Sequence, residues 1–292
     1  MKITVKLKGG IGNQMFEYAL GRALQLEHPG AHLVLDISEM HQNANRPFCL
    51  DIFHLPEDIE ILQEDSYKKY SRAANPFLRV GMRFCPKLVH RFFAKKSVFL
   101  WDDLTYIQIP PLKQDSYFNG YWQCEKYFRN HRDQIKADFE FTMPLSDQTR
   151  TLASRIQQAE SVCVHIRLGD YLNPENARYQ VCTPAYYLEG MREIAKSHPE
   201  CTFFIFSDEP EKACELLGTG HDLKLFCIPE GNTNYEDLYL MTLCRHFVMS
   251  NSSFSWWAQY LSDSGEKTVV APKRWYTDYE NKDIYLDSWK RI

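Results

Sequence analysis

The second half of the chain alternates regularly between two hydrophobic patterns. Short apolar runs rich in β-branched and aromatic residues are separated by longer segments whose apolar residues recur at helical spacing. The runs predict strands at 161–167, 202–207, 223–228, 246–250 and 267–271, and the intervening segments predict helices at 184–197, 209–218, 234–245 and 253–264. This alternation is typical of a parallel sheet covered by helices. The sequence therefore predicts a nucleotide-binding half of Rossmann type.

Polar residues follow the first of these strands. The apolar run from Ser161 ends at His165, and Arg167 and Asp170 come directly after it. Because ligands of open α/β sheets bind beyond the carboxyl ends of the strands, these three side chains are expected in a ligand crevice. The planar guanidinium of Arg167 matches a phosphate in two-point contact. The alternative is a surface ion pair between Arg167 and Asp170 around a turn.

The ends of two further predicted strands carry groups that suit a nucleotide. Asp208 follows the second strand, where a carboxylate can accept two hydrogen bonds from guanine or from a ribose diol; Asp208 or Glu209 could equally cap the next helix. Ser250, Ser252, Ser253 and Ser255 surround a predicted helix start after the fourth strand. Hydroxyls and backbone N–H groups at such a start suit a diphosphate held without a metal. Arg167 and these serines are expected to converge on one ligand.

The amino-terminal half opens with a strand over 1–7, a glycine-rich turn and a helix that runs to about Leu26. Gly9, Gly10 and Gly12 permit close backbone approach to a ligand, and the helix start offers N–H groups to an anion. This turn partly matches a dinucleotide fingerprint, with Asp36 as its acidic residue, so a nicotinamide enzyme stays open as an alternative. Asn13 and Gln14 indicate instead hydrogen bonds to a polar substrate such as a sugar, although Asn13 could also be a helix cap.

One window, 66–101, differs in charge from the rest of the chain. It holds nine Lys and Arg residues and no Asp or Glu, which gives the window a charge of +9. Since the whole chain has a net charge of −4, the remaining residues carry −13. Its apolar residues recur at helical spacing, which predicts short basic amphipathic helices broken at Pro76 and Pro86. Such helices either form a solvated lobe on the first domain or contact an anionic membrane.

Composition excludes several classes of protein. A net charge of −4 and an isoelectric point near 6.2 argue against nucleic-acid binding. There is no apolar run long enough to span a membrane and no signal-peptide pattern, so we expect a cytoplasmic protein, with 66–101 free for peripheral contact at the inner membrane face. Nine scattered cysteines predict reduced thiols rather than a zinc site or disulfide framework. No carboxylates stand at metal-ligand spacing, and no metal is expected.

Four motifs, taken together, resemble the α-1,2-fucosyltransferases of glycosyltransferase family 11. They are Gly9-Gly10-Ile11-Gly12-Asn13-Gln14-Met15-Phe16, Gly120-Tyr121-Trp122-Gln123 with Glu125-Lys126-Tyr127-Phe128, His165-Ile166-Arg167-Leu168-Gly169-Asp170-Tyr171, and Ser250-Asn251-Ser252-Ser253-Phe254-Ser255-Trp256-Trp257. The resemblance implies an α/β fold of the GT-B type, with two Rossmann-type lobes facing across a cleft. It also implies GDP-fucose as donor, a terminal β-galactose of a glycan as acceptor, and no cofactor or metal.

The same resemblance suggests a domain plan. Residues 1–148 would form an acceptor-side lobe that includes the basic segment 66–101, and 149–272 would bind GDP-fucose. A tail over 273–292 would pack back on the amino-terminal lobe. The acceptor would belong to a surface polysaccharide or O-antigen.

The resemblance also implies residue roles. Arg167 would bind the β-phosphate, Asp208 the guanine and the four serines the diphosphate, while Asn13 would lie near the reacting sugar beside Gly10, Gly12 and Gln14. The related superfamily motif His-x-Arg-Arg-x-Asp has its second arginine replaced here by Leu168. The reaction would be a direct displacement that inverts the anomeric carbon.

Several alternatives remain open from the sequence. The general base is His165, Asp170 or Glu125, although Asp170 could instead orient Arg167. The linkage formed could differ from α-1,2, and the donor could be another nucleotide sugar. A non-enzymatic sugar-binding protein would account for the 14% aromatic content but not for the anion-binding features.

Overall fold

The computed structural model describes residues 1–40, 47–64, 66–70, 75–101, 104–218 and 222–292. The chain divides into two compact units, Met1–Thr142 and Met143–Ile292. Within the described ranges, none of the helices is both long enough and apolar enough to cross a bilayer.

The first unit is a parallel sheet with helices. Its elements are β1 (Lys2–Lys6), α1 (Ile11–Glu27), β2 (His32–Asp36), β3 (Glu60–Leu62), α2 (Pro76–Phe84), α3 (Pro86–Ala94), β4 (Val98–Trp101), β5 (Ser116–Gly120) and α4 (Arg132–Asp138). The strand order is β3-β2-β1-β5-β4, and every pairing is parallel. The first strand and helix confirm the sequence prediction.

In this unit two prolines begin helices, and one predicted helix is partly replaced by turns. Pro76 and Pro86 begin α2 and α3, because a proline at the first helical position loses no internal hydrogen bond. The apolar residues Phe128, Ile135 and Phe139 predict one helix over 125–139, but the chain forms the turns Glu125–Tyr127 and Arg129–His131 before α4 begins. The chain breaks between the turns at Phe128, whose ring is buried.

The second unit has the predicted alternation of strands and helices. Its elements are α5 (Asp147–Gln158), β6 (Ser161–Ile166), α6 (Pro184–Ala195), β7 (Thr202–Ser207), α7 (Pro210–Leu217), β8 (Leu225–Cys227), α8 (Asn234–Thr242), β9 (His246–Val248), α9 (Ser253–Leu261), β10 (Val269–Ala271) and β11 (Lys290–Arg291). The order β11-β10-β9-β6-β7-β8 is parallel throughout. All five predicted strands and four predicted helices are present, most of them shorter than predicted.

The boundary and the tail differ from the expected plan. The units divide after Thr142 rather than after 148, because the following segment packs on α8: the Tyr235 hydroxyl donates to the Pro144 carbonyl at 3.0 Å. The tail 273–292 belongs to the second unit and not to the first. Its last strand pairs with β10, and the indole N–H of Trp256 donates to the Ile284 carbonyl at 2.7 Å.

A disulfide corrects the expectation that all cysteines are reduced. Cys214 in α7 and Cys227 at the end of β8 are bonded to each other. The other seven cysteines are free thiols. The two partners are thirteen residues apart, a spacing that carried no motif, and the packing of α7 beside β8 brings them together.

A buried carboxylate joins α5 to α8. Glu236 and Thr233 form a reciprocal capping box at the start of α8, and Glu236 also accepts from the Ser146 backbone N–H at 2.8 Å and the Thr149 hydroxyl at 2.9 Å. Burial alone would raise the pKa of Glu236, but hydrogen bonds from Thr233, Ser146 and Thr149 outweigh it and lower the pKa to about 2. The ionised form of this side chain therefore stabilises the second unit.

We expect Glu236→Gln to lower the free energy of unfolding by about 1–3 kcal/mol at pH 7, because an amide cannot satisfy the donors that the carboxylate accepts. The native pKa lies below the ordinary value of 4.5, so this contribution is complete above pH 4.5 and is lost as the pH falls toward 2. Urea denaturation at several pH values measures both effects. Glu211→Gln on the exposed face of α7 is the matched control, and an equal loss in both variants would contradict the assignment.

Candidate functional site

The second sheet has a topological switch point between β6 and β9. From β6 the chain moves outward through β7 and β8, then returns to the other side of β6 and moves outward through β9, β10 and β11. Ligands of open parallel sheets bind beyond the carboxyl ends of the strands at such a point. Arg167 follows β6 and Ser250 follows β9, so the structure places both predicted features at the switch point.

Arg167 is fixed by Asp208 on the neighbouring strand. The parallel register pairs Ile166 with Ser207, so Arg167 and Asp208 are the next residues beyond the two strand ends. Arg167 Nη1 lies 3.0 Å from Asp208 Oδ2, and the side chains are 30% and 23% exposed. The guanidinium is thus oriented by a neighbouring carboxylate while part of its surface remains accessible.

The backbone after β6 holds the other oxygen of Asp208. The Leu168 backbone N–H donates to Asp208 Oδ1 at 3.0 Å. A Cβ atom on Gly169 would lie 2.4 Å from Asp208 Oδ2, so only glycine permits this approach. One oxygen of Asp208 therefore accepts a backbone hydrogen bond and the other pairs with Arg167, which gives Asp208 a positioning role that the predicted guanine contact did not include.

Tyr171 joins the loop after β6 to the loop after β9. The Arg167 guanidinium carbon lies 5.8 Å from the centre of the Tyr171 ring, and the Tyr171 hydroxyl donates to the Asn251 carbonyl at 3.1 Å. The buried Asn251 amide in turn donates to the carbonyls of Tyr179 and Trp275. Sequence reasoning assigned no role to Tyr171 or Asn251, although both lie inside the quoted motifs.

His165 is buried behind this surface. Its Nδ1 lies 2.8 Å from the Ser250 hydroxyl oxygen, which joins the ends of β6 and β9. Burial, and secondarily the positive charge of Arg167, lowers its pKa to about 3. The ring is therefore neutral near pH 7 and a weak base, which disfavours the predicted role as general base.

The four predicted serines do not face one ligand. Ser250 and Ser255 are buried, and the Ser255 hydroxyl donates to the carbonyls of Ser250 and Ser252. Ser252 caps α9 by accepting from the Phe254 backbone N–H at 3.2 Å, while the partly exposed Ser253 is the first residue of the helix. An anion at this place would meet the first turn of α9, whose N–H groups and dipole favour negative charge.

The first unit has its own polar cluster at the carboxyl ends of β1 and β5, where the order of the first sheet also reverses. Gly9 adopts a φ of +75°, and Gly10 and Gly12 open α1. Asn13 Oδ1 accepts from the Gln123 amide at 2.8 Å. The Lys8 ammonium donates to Asn119 Oδ1 at 3.2 Å and lies 4.4 Å from the centre of the Tyr121 ring. Amides beside an aromatic ring suit the hydroxyls and apolar face of a sugar.

Two predicted polar residues of this unit serve the fold instead. Gln14 is buried, its amide nitrogen donates to the carbonyls of Gly9 and Pro47, and its oxygen accepts from the Cys49 backbone N–H. Its side chain therefore stabilises the loop at residues 47–49, in place of the predicted ligand contact. Asp36 is also buried and accepts from both the backbone N–H and the hydroxyl of Ser38. In a dinucleotide-binding protein this carboxylate would have to be accessible to the ligand. The buried position of Asp36 therefore disfavours the alternative of a nicotinamide enzyme.

Two carboxylates, Glu125 and Asp170, remain as candidates for the general base. Glu125 lies in the turn Glu125–Tyr127 and is partly exposed. The backbone of Asp170 belongs to the turn Gly169–Leu172, but its side chain lies outside the described part of the structure.

One cluster of possible metal ligands occurs at the opposite, amino-terminal edge of the second sheet. The ligand atoms of Glu160, His198 and His246 lie within 4.8 Å of one another in the described part of the chain. The Thr268 backbone N–H donates to His246 Nδ1 at 3.0 Å, so the neutral ring carries its proton on Nε2 and donates it to Glu160 at 2.9 Å. Arg245 pairs with the same carboxylate at 2.8 Å. A metal would need a lone pair on that Nε2, so the group fits an ion network better.

The pKa of His165 predicts a stability effect. The native ring stays neutral down to about pH 3, whereas the unfolded ring takes up a proton below about 6.5. Stability should therefore fall as the pH is lowered from 6.5 toward 3, by at most about 1.4 kcal/mol per pH unit from this group. Urea denaturation of the parent protein and of His165→Asn, which cannot titrate, should show a steeper fall in stability between pH 6.5 and 3 in the parent. Identical slopes would contradict a neutral buried His165.

Comparison with known proteins now identifies the family. The model of "Glycosyl transferase family 11" matches residues 89–292. The α-1,2-colitosyltransferase of Escherichia coli is 28% identical over 99% of this chain and 98% of its own length. The galactoside α-(1,2)-fucosyltransferase 1 of Oryctolagus cuniculus is 23% identical over 92% of this chain and 66% of its own length.

A solved structure supports the fold. The fucosyltransferase NodZ from Bradyrhizobium aligns with a TM-score of 0.54 at 14% identity, covering 88% of this chain and 92% of that one. The prediction of an α/β fold of the GT-B type is confirmed. Because the family model covers more than half of the sequence, this chain belongs to glycosyltransferase family 11.

Proposed function

We propose that this chain transfers L-fucose from GDP-fucose to the 2-hydroxyl of a terminal β-galactose, with inversion at the anomeric carbon. The observation that carries the proposal is Arg167, oriented by Asp208 at the switch point of the second sheet, where β6 pairs with the strand that leads into α9. The relatives support it: one is named a galactoside α-(1,2)-fucosyltransferase, and the structure of NodZ has been determined after soaking with GDP-fucose.

The chemistry follows from charge. The acceptor oxygen forms a bond to the anomeric carbon as the bond from that carbon to the β-phosphate oxygen breaks, and the bonding electrons leave with GDP. Negative charge therefore grows on the diphosphate in the transition state. Donors that are fixed before the reaction stabilise this charge best, because they need no rearrangement as it develops. The Arg167 guanidinium and the first turn of α9 serve this role in the proposal.

The acceptor hydroxyl must also lose its proton. His165 is a poor recipient because burial keeps its pKa near 3. We therefore assign the base role to a carboxylate, with Asp170 and Glu125 as the candidates. A late proton transfer suits an oxocarbenium-like transition state, in which the acceptor oxygen has bonded little to carbon.

No resident metal is part of the proposal. Arg167 and the α9 terminus supply positive potential to the leaving diphosphate, which is the function that a divalent cation would otherwise have. Acceptor recognition is assigned to the first unit, where Asn13, Gln123 and Tyr121 offer amides and an aromatic face. The acceptor would belong to a surface polysaccharide or O-antigen chain.

A second donor deserves a test because one relative is named an α-1,2-colitosyltransferase. In that alternative the diphosphate site and the linkage stay the same and only the sugar pocket differs. A non-enzymatic sugar-binding protein is disfavoured, since it would have no need for an oriented guanidinium at a nucleotide-binding edge.

The direct test is a transfer assay by mass spectrometry. GDP-fucose and GDP-colitose are offered separately, in EDTA, with lactose, lacto-N-biose and Galβ1-3GalNAc as acceptors. We expect a fucosylated product that an α-1,2-fucosidase cleaves. Transfer of colitose alone would replace the donor, a product resistant to the fucosidase would replace the linkage, and activity that needs added metal would overturn the metal-free mechanism.

The positioning role of Asp208 predicts a specific pattern of variants. Arg167→Ala should lower kcat by about 10²–10³-fold, the usual effect of losing one donor to developing charge. Asp208→Asn should lower kcat by at least about tenfold in the native background and by little in the Arg167→Ala background, because both act through one guanidinium.

Two controls separate this role from guanine recognition. Glu209→Gln removes the adjacent carboxylate, which pairs with Lys212, and should leave kcat unchanged. Binding of GDP and of inosine diphosphate, which lacks the 2-amino group, is compared by calorimetry. If Asp208→Asn abolishes a preference for GDP, Asp208 reads the base and the positioning role is wrong.

A further inference from the structure

The helices α2 and α3 carry an exposed apolar surface. Among the described residues, the most exposed large apolar side chains all belong to these two helices: Phe77, Val80, Phe84, Leu88 and Phe92. Phe77 is 90% exposed, Phe84 72% and Leu88 68%. Single exposed apolar residues are ordinary on protein surfaces, but a group of this size on adjoining helices indicates a contact surface.

Both helices have separate inner and outer faces. Leu78 and Met82 of α2 are buried in a cluster with β4 and β5, and Val89 and Phe93 of α3 pack against the same cluster. Residues four apart lie on one side of a helix, so Leu88 and Phe92 form a different stripe from Val89 and Phe93. The core of the first unit therefore uses the inner apolar residues, and the outer ones remain mostly exposed.

The pair forms a short, tightly packed hairpin. The Asn75 side chain caps α2 by accepting from the Leu78 backbone N–H, and α3 begins two residues after α2 ends. A Cβ atom on Gly81 would lie 2.9 Å from a methyl carbon of Val89, so glycine permits the close approach of the two helices. The outer apolar residues are thus presented by a fixed scaffold.

Cations surround the outer apolar residues. Residues 75–101 include Arg79, Arg83, Lys87, Arg91, Lys95 and Lys96 and contain no Asp or Glu. All six are exposed. The Arg83 guanidinium carbon lies 5.6 Å from the centre of the Phe84 ring, and the Lys96 ammonium lies 5.1 Å from that of Phe92. Apolar and cationic groups are therefore interleaved on one surface rather than separated.

We propose that the outer face of α2 and α3 docks on an anionic lipid surface. Aromatic and aliphatic side chains enter the boundary between head groups and acyl chains, while Lys and Arg stay at the level of the anionic head groups. Charge complementarity selects this occupant, because each cation near an anionic bilayer adds attraction, whereas the other residues of this chain are acidic overall. None of these residues is among those assigned to the sugar nucleotide or to the acceptor, so the proposal does not depend on the proposed transfer reaction.

A second copy of the chain fits this face less well. A symmetric dimer sets the same patch against itself, so six cations would face six cations without an acidic partner in the segment. An acidic soluble protein would satisfy the cations but would not require five protruding apolar side chains. Lipid satisfies both sets of groups at once.

The test is co-sedimentation of the whole protein with vesicles of phosphatidylcholine alone and of phosphatidylcholine mixed with phosphatidylglycerol. We expect binding to the mixed vesicles at low salt and release at about 1 M salt, where the Debye length is about 3 Å. Arg83→Glu/Arg91→Glu should weaken vesicle partitioning by at least about tenfold. Phe77→Ser/Phe84→Ser, which leaves every charge in place, should weaken it by a similar factor.

Matched controls make the result decisive. Lys113→Glu/Arg192→Glu applies the same change in charge at exposed positions elsewhere and should leave partitioning within about twofold of the parent, since only cations near the surface contribute. Thermal unfolding of every variant should match the parent, because all substituted side chains are exposed. No binding to mixed vesicles, or an equal loss in the control variant, overturns the proposal. So does a dimer in sedimentation velocity without lipid that Phe77→Ser/Phe84→Ser abolishes, because a second copy then occupies the face.

Discussion

The ion pair between Arg167 and Asp208 is the contact on which the candidate site depends. A guanidinium at a strand end is flexible by itself and loses conformational entropy whenever it orders around an anion. Here the parallel register of β6 and β7 sets a carboxylate beside it, and the Leu168 N–H holds that carboxylate in place. The cation is then oriented before any ligand arrives, at the modest entropic cost of a pair built into two neighbouring strands.

Both units use the same structural device. In each sheet the strand order reverses beside a central strand, and the polar side chains emerge at the carboxyl ends on either side of the reversal. The first unit presents amides and an aromatic ring there, and the second presents a guanidinium and a helix start. The first set of side chains suits a sugar and the second suits a diphosphate, although the backbone arrangement that exposes them is alike.

The alternation of patterns was enough to predict most strands and helices of the second sheet, because β6, β7, β9 and β10 are buried on both faces and form nearly continuous apolar runs. Helix α5 was missed since its exposed face leaves few apolar residues, and the two-residue β11 is too short to show any periodicity. The positions of Arg167 and the serine-rich helix start followed from the strand ends. Side-chain direction did not: Gln14, Ser250 and Ser255 carry the polar atoms expected of ligand contacts but turn them inward. The hydrophobic pattern of the sequence predicts which residue stands at the end of a strand. Packing in the folded chain decides whether the polar atoms of that residue face the protein interior or the ligand side.

The tail of the chain packs with the segment that leads into α9 at the candidate site. Asn251, in the loop that leads into α9, donates to the carbonyl of Trp275, and the buried Trp289 ring lies 6.2 Å from the Trp256 ring of that helix. The backbone N–H of Ile292 donates to the Ala271 carbonyl, and the N–H of Lys273 donates to the Ile292 carbonyl. The last residues of the chain are therefore hydrogen-bonded to the end of β10 and to the segment that follows it. Residues some twenty to forty positions apart along the chain are therefore in contact, and a deletion that displaces Trp275 or Ile284 would remove the acceptor of Asn251 or of the Trp256 indole at the start of α9.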